Sequence, residues 1–179
     1  MNQHDMTRNM VLAALFAALT AIGAFLQIPT GTVPITLQFL FTALAGLLLG
    51  WKWGAISQLL YVGIGLLGLP VFTQGGGIGY VLQPSFGFLL GLIPAAAVIG
   101  ALTARHRSHP AVFLAVLVGD LILYAVGVPY MYLILHVYMQ SAKTFPTLLA
   151  AMLVYVPGDT LKIVVVTALA PVLRRTLAQ

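Results

Sequence analysis

Asp159 and Lys162 stand three residues apart, with no other charge between Lys143 and Arg174. That spacing puts a carboxylate and an ammonium on one helical face. In an apolar segment such a pair either neutralises itself or grips a ligand that offers a donor to the acid and an acceptor to the base. Asp120 is a third charged residue, in an otherwise uncharged run. A charge at mid-membrane costs about 2.5–3.5 kcal/mol on insertion scales, so all three qualify as functional candidates. If they meet, two carboxylates face one ammonium. Either Asp120 is then protonated, or a ligand supplies N–H groups to a carboxylate. A polar neighbour on another helix would serve Asp120 equally well.

Other chemistries find no residues. There is no Cys, so thiol nucleophiles, disulfides and Cys-ligated metals are excluded, and the four His are too scattered for a helical ligand pair. Four glycines occupy five positions from Gly75 to Gly79. The phosphate-cradling Gly-x-x-x-x-Gly-Lys-Ser/Thr pattern occurs nowhere, so this chain is not expected to bind nucleotide. A flexible lid over a ligand fits the glycine run better, with a plain turn as the alternative. Nor is nucleic acid an expected partner, since the net charge of +5 comes from sparse basic residues rather than a patch.

The elements that must position these residues follow from composition. Of 179 residues, 61% are hydrophobic and 6% charged, and residues 9–51 and 53–104 carry no charge. A bilayer core of about 30 Å needs about 20 apolar residues per helix. The runs are apolar on every face, which excludes the alternation of a transmembrane barrel. The sequence therefore predicts an all-α integral membrane protein, one domain over 1–179. Breaks at Pro, Gly and charge give spans at Met10–Ile28, Ile35–Leu49, Gly54–Leu69, Ser85–Thr103, Ala111–Val126 with a continuation past Pro129, and Thr147–Leu173. The second and third are short.

Six spans starting inside place Arg8, Lys52, Arg105, Arg107, Arg174 and Arg175 in the cytoplasm and Lys143 outside. Both termini are thus expected in the cytoplasm of a multi-pass cell-membrane protein. The loops Pro29–Pro34, Pro70–Gln83 and Gln140–Pro146 then face out. On a continuous last helix, Asp159 and Lys162 would lie roughly 15 to 25 Å below its outer start. Pro157-Gly158 would loosen that helix just before Asp159. Ala13, Ala17 and Ala21 recur every fourth residue, a face smooth enough for another helix, inside the protein or from a partner.

Taken together, Val33-Pro-Ile-Thr-Leu-Gln38, Leu49-Gly-Trp-Lys-Trp-Gly-Ala-Ile-Ser57, Tyr61-Val-Gly-Ile-Gly-Leu-Leu-Gly-Leu-Pro-Val-Phe72, the glycine run and Pro157-Gly-Asp-Thr-Leu-Lys162 resemble a known family over nearly the whole chain. This is the BioY family, the biotin-specific substrate-binding (S) components of energy-coupling factor (ECF) transporters. The resemblance implies six transmembrane helices and biotin held near the outer side under extracellular loops. It implies that Asp159 and Lys162 bind the ureido ring, and that the alanine row docks on the transmembrane coupling subunit.

A ureido group offers two N–H donors and one carbonyl, matching a carboxylate and an ammonium. Phe72, Tyr80 and Tyr124 are the candidate walls, Gln74 and Gln83 the candidates for the ligand carboxylate, with Gln38 added from the second-span motif. The protein would need no cofactor of its own and would not be an enzyme; ATP would be used by two partner ATPase subunits. One departure stands out. Gln83-Pro-Ser-Phe-Gly-Phe88 replaces a stretch that commonly reads Gly-Pro-Thr-Gly-Gly-Tyr in the family. Rival readings are an S component for another small solute, a membrane enzyme using Asp120 and Asp159 as acid and base, and a structural subunit without a ligand.

Overall fold

The computed structural model describes residues 3–30 and 33–177. Helix α1 (Gln3–Phe25) is followed by a two-residue strand β1 (Gln27–Ile28), which pairs antiparallel with β2 (Ile35–Thr36). Gly31 and Thr32, in the predicted loop Pro29–Pro34, lie outside the described residues. Helix α2 (Gln38–Leu66) leads to a 3-10 turn (Ile78–Leu82), then α3 (Phe86–Arg105) and α4 (His109–Leu133). A π-helical turn (Ile134–Tyr138) extends α4. Short α5 (Phe145–Ala151) and a 3-10 turn (Met152–Val154) precede α6 (Val156–Leu177).

Five of these helical stretches are long and apolar enough to cross a membrane. One of them, α2, is two antiparallel arms. Gly50 has φ +77°, a left-handed conformation that breaks the helix. Beyond it the chain doubles back, so that a Cβ on Gly54 would lie 2.8 Å from the Cα of Gly46. In a straight helix those residues would be about 12 Å apart. Counted by arms, the bundle has six crossings, the second and third short, as the sequence predicts.

The arms are tied across an apolar interior by a buried polar knot. Thr42 donates to Gln58 Oε1 (2.9 Å), and Gln58 Nε2 donates to Ser57 (3.0 Å) and to Thr20 of α1 (3.3 Å). Buried polar groups without such partners would cost about 1–3 kcal/mol each.

One end of the bundle gathers the basic residues. Arg8, the Gly50 turn, Thr103, Arg107 and Arg174 line a single cleft. Arg174 also donates to the carbonyls of Leu47 and Thr103 (3.4 Å each). The start of α1 and the end of α6 therefore share this end.

Two expectations change. The last predicted span, Thr147–Leu173, is broken: α5 and its 3-10 turn end at Val154, and α6 starts afresh at Val156. Pro157 and Gly158 thus occupy the first turn of α6, where a missing N–H leaves no bond unmade. They begin a helix rather than loosen one. Asp159 and Lys162 lie about 4.5 and 9 Å from the start of α6, not 15 to 25 Å below it. The first residues of α6, Val156 and Pro157, are exposed, and Asp159 and Lys162 are buried on the face of α6 that meets α4.

The alanine row is the second change. Ala13 and Ala17 are buried in the protein's own core, and Ala21 packs against it. The exposed small residues of α1 are Ala14 and Ala18, one position round the helix.

Candidate functional site

At the end opposite the basic cleft, the chain irregularities border a partly enclosed cavity. Its walls come from β2 and the residues before it, the start of α2, Thr73 and Tyr80, α3, α4, the Met152–Tyr155 segment and the start of α6.

The charged corner belongs to α4 and α6. Lys162 Nζ donates to Asp159 Oδ1 at 2.7 Å, and both side chains are about nine-tenths buried. The Tyr124 hydroxyl donates to Asp159 Oδ2. Asp159 also sits in the first turn of α6, where the helix dipole favours negative charge. Replacing a buried ion pair by apolar residues is often neutral or stabilising. The pair is therefore poorly explained as a device for folding, and its position on a cavity wall is better explained by a ligand.

A second polar group comes from the segment entering α2. Buried Gln38 donates through Nε2 to the Tyr61 hydroxyl (2.8 Å) and accepts at Oε1 from Thr36 (3.0 Å). Tyr61 passes the chain on by donating to the Val71 carbonyl (3.1 Å). Gln38 is thus held in one orientation, with its flank on the cavity.

The glycine run is a hydrogen-bonded turn at the edge of the cavity. Phe72 and Gly75 exchange backbone hydrogen bonds, and Gly77 N–H donates to the Gly65 carbonyl at 2.7 Å. A Cβ on Gly76 would lie 2.0 Å from the Leu69 carbonyl oxygen. Only glycine permits that approach. The turn delivers Thr73 and Tyr80 to the cavity, their hydroxyls 2.9 Å apart.

Of the residues expected from sequence, Asp159, Lys162, Tyr124, Tyr80 and Gln38 line this one cavity. Phe72 does not; it is 1% exposed and wedged between the rings of Tyr61 and Tyr80, supporting Tyr80 from behind. Gln74 is exposed and Gln83 half-buried, and neither lines the cavity. Both sit on the far side of the turns that bring Thr73 and Tyr80 inward.

Sequence reasoning missed Thr36, Thr73, Ser85, Phe88 and Tyr155 as lining residues. Tyr155 had a readable signal, since it precedes Asp159 by four residues and Asp159 N–H donates to its carbonyl (2.9 Å). Its hydroxyl donates to the Val33 carbonyl and lies 2.9 Å from that of Thr30, joining α6 to the hairpin. Phe88 meets Tyr124 edge-on at 5.9 Å and fixes the ring whose hydroxyl holds Asp159. No local pattern would have paired those two.

The sequence profile described as "BioY family" matches residues 1–179. A probable biotin transporter BioY of Lysinibacillus sphaericus is 53% identical over 147 residues, covering 81% of this chain and 75% of the relative. The biotin transporter BioY of Rhodobacter capsulatus is 40% identical over 184 residues, covering 97% and 95%. Among solved structures, the S-component for biotin from an ECF-type ABC transporter matches with a TM-score of 0.85 at 28% identity, covering 100% of this chain and 95% of that one.

Proposed function

Since the chain belongs to the BioY family, we propose that it is the biotin-binding subunit of an ECF transporter, gripping the vitamin's ureido head with Asp159 and Lys162. The observation that carries this reading is a desolvated acid–base pair on the wall of a partly enclosed cavity. Biotin's ureido N–H groups donate to the carboxylate, and its carbonyl accepts from the ammonium. A neutral head matched this way satisfies both charges without adding a third.

The apolar stretch of the wall, with Phe88, Leu89, Leu92 and Leu123, suits the fused rings and the valeryl chain. Thr36, Thr73 and Ser85 are the hydroxyls we assign to the ligand carboxylate, in place of Gln74 and Gln83. The chemistry is capture and release; no bond is made or broken.

The basic end faces the cytoplasm by the positive-inside rule, which puts both termini inside and the cavity toward the outside. Energy would come from a transmembrane coupling subunit and two ATPase subunits. The exposed face of α1, where Ala14 and Ala18 lie beside Val11, Leu15 and Ile22, is the face we assign to the coupling subunit.

Equilibrium binding of labelled biotin to the purified protein tests the site. Asp159→Asn and Lys162→Met are each expected to weaken binding by at least tenfold, the loss of one charged hydrogen bond. Undiminished affinity in both variants would remove the assignment.

A further inference from the structure

One buried acid has no place in the grip described above. Asp120, near the middle of α4, is 6% exposed, and its Oδ1 is buried without a hydrogen-bond partner. An orphaned carboxylate oxygen inside a membrane bundle is costly, so its retention calls for a state in which it is used.

The helix geometry identifies the group that would use it. Helices α4 and α6 run antiparallel, joined where Tyr124 meets Asp159. From that level, four residues back along α4 is about 6 Å toward the basic end and reaches Asp120; three residues on along α6 is about 4.5 Å the same way and reaches Lys162. Spacings of four and three keep each residue on the face of its neighbour. Asp120 and Lys162 therefore stand nearly level across the α4–α6 contact, and Asp120 is within charge–charge reach of both Asp159 and Lys162.

Both Asp159 oxygens are engaged by side chains of the protein, Oδ1 by Lys162 and Oδ2 by Tyr124. A ligand N–H can reach Asp159 only if one of these partners gives way. Tyr124 has a single proton to donate, whereas the ammonium has three and a second carboxylate at its own height.

We infer that Asp120 is the alternate counter-ion of Lys162. When biotin's ureido N–H takes Asp159 Oδ1, the ammonium turns to Asp120 while keeping a donor for the ureido carbonyl. Asp120 is thus a positioning residue: it touches no ligand and lowers the cost of freeing Asp159. This rests on the assignment of Asp159 and Lys162 as the ureido partners.

The test measures biotin affinity and the unfolding temperature of the empty protein for wild type, Asp120→Asn, Asp120→Glu and Asp159→Asn. Asp120→Asn is expected to weaken binding on the order of ten- to a hundredfold, the worth of a hydrogen bond between charged groups. Without biotin it should unfold no earlier than wild type, because Oδ1 has no hydrogen-bond partner to lose. Asp120→Glu should recover most of the affinity.

Wild-type affinity in Asp120→Asn, with binding lost in Asp159→Asn, overturns the counter-ion role and leaves the ureido assignment standing. Earlier unfolding of empty Asp120→Asn, in proportion to its lost affinity, would mark a merely structural residue and also overturn it. Full affinity in Asp159→Asn removes both readings. Should Asp120→Asn not fold, a structure of the wild-type biotin complex decides. Lys162 Nζ within hydrogen-bond distance of Asp120 supports the inference, and Nζ still bonded to Asp159 with Asp120 unpartnered refutes it.

Discussion

The two ends of the bundle solve opposite problems with the same helices. At the basic end, small residues let helix backbones close up beside the cleft: a Cβ on Gly46 would lie 2.4 Å from the Ala96 carbonyl oxygen, and one on Gly100 would lie 2.3 Å from the Trp51 nitrogen. At the other end the helices stop short. The β1–β2 hairpin, the glycine turn and the break between α5 and α6 leave a cavity that regular helices would have filled. Close packing fixes the frame, and interruption creates the site. Non-helical backbone at membrane depth is tolerated where it lines such a cavity.

The largest expected effect tests whether the charged corner serves the ligand rather than the fold. Lys162→Met alone leaves Asp159 buried beside a tyrosine and should destabilise the empty protein by about 3–5 kcal/mol, as breaking a buried pair does. Asp159→Leu combined with Lys162→Met should restore most of that stability while biotin binding stays lost. Thermal unfolding with and without biotin reads both quantities. A double variant as unstable as the single one would return the pair to a structural role.

The next effect belongs to the packed end. Gly46→Val forces a branched side chain against the Ala96 backbone, and overpacking of this kind costs about 1–3 kcal/mol. Yield and unfolding temperature should fall, yet the molecules that fold should bind biotin as wild type does. A matching loss of affinity would mean that the two ends are not separable.

This contrast also explains what could be read from the sequence. The number of crossings, the basic end and the Asp159–Lys162 face were legible because each depends on local composition or on a spacing of one turn. Even the fold-back at Gly50 was visible as a charged Trp-Lys-Trp break between two short apolar runs. Less legible was anything set by which way a turn faces. Phe72, Gln74 and Thr73 are neighbours in the chain, yet one is buried behind the wall, one is exposed, and one lines the cavity. The positive φ values at Gly75 and Gly77 decide among them, and composition does not reveal such angles. Which of its two readings the alanine row would take was hidden for a similar reason. Rows one position apart on α1 differ by about 100° around the helix, so Ala13 and Ala17 turn inward while Ala14 and Ala18 turn out.

That outward pair separates binding from transport. Ala18→Trp adds bulk on an exposed face, where substitutions usually change stability by no more than about 0.5 kcal/mol. Biotin affinity of the purified subunit should be unchanged, and energised uptake in cells should fall if the coupling subunit docks there. Undisturbed uptake would move the docking face elsewhere.

The effect with the finest readout, a change in one rate of two, probes how the irregular end is held together. Tyr155 bridges α6 to the hairpin through hydrogen bonds with the Val33 carbonyl and Thr30, four residues before the acid of the charged corner. Tyr155→Phe keeps the ring on the cavity wall and removes only that bridge, so stability should drop by about 1 kcal/mol. If the hairpin must be fixed for the site to retain its ligand, the variant should release biotin faster with little change in its rate of capture, because the contacts to Asp159 and Lys162 remain. Stopped-flow measurement of the two rates separates these outcomes. A slower capture with unchanged release would instead place the bridge on the route by which biotin enters.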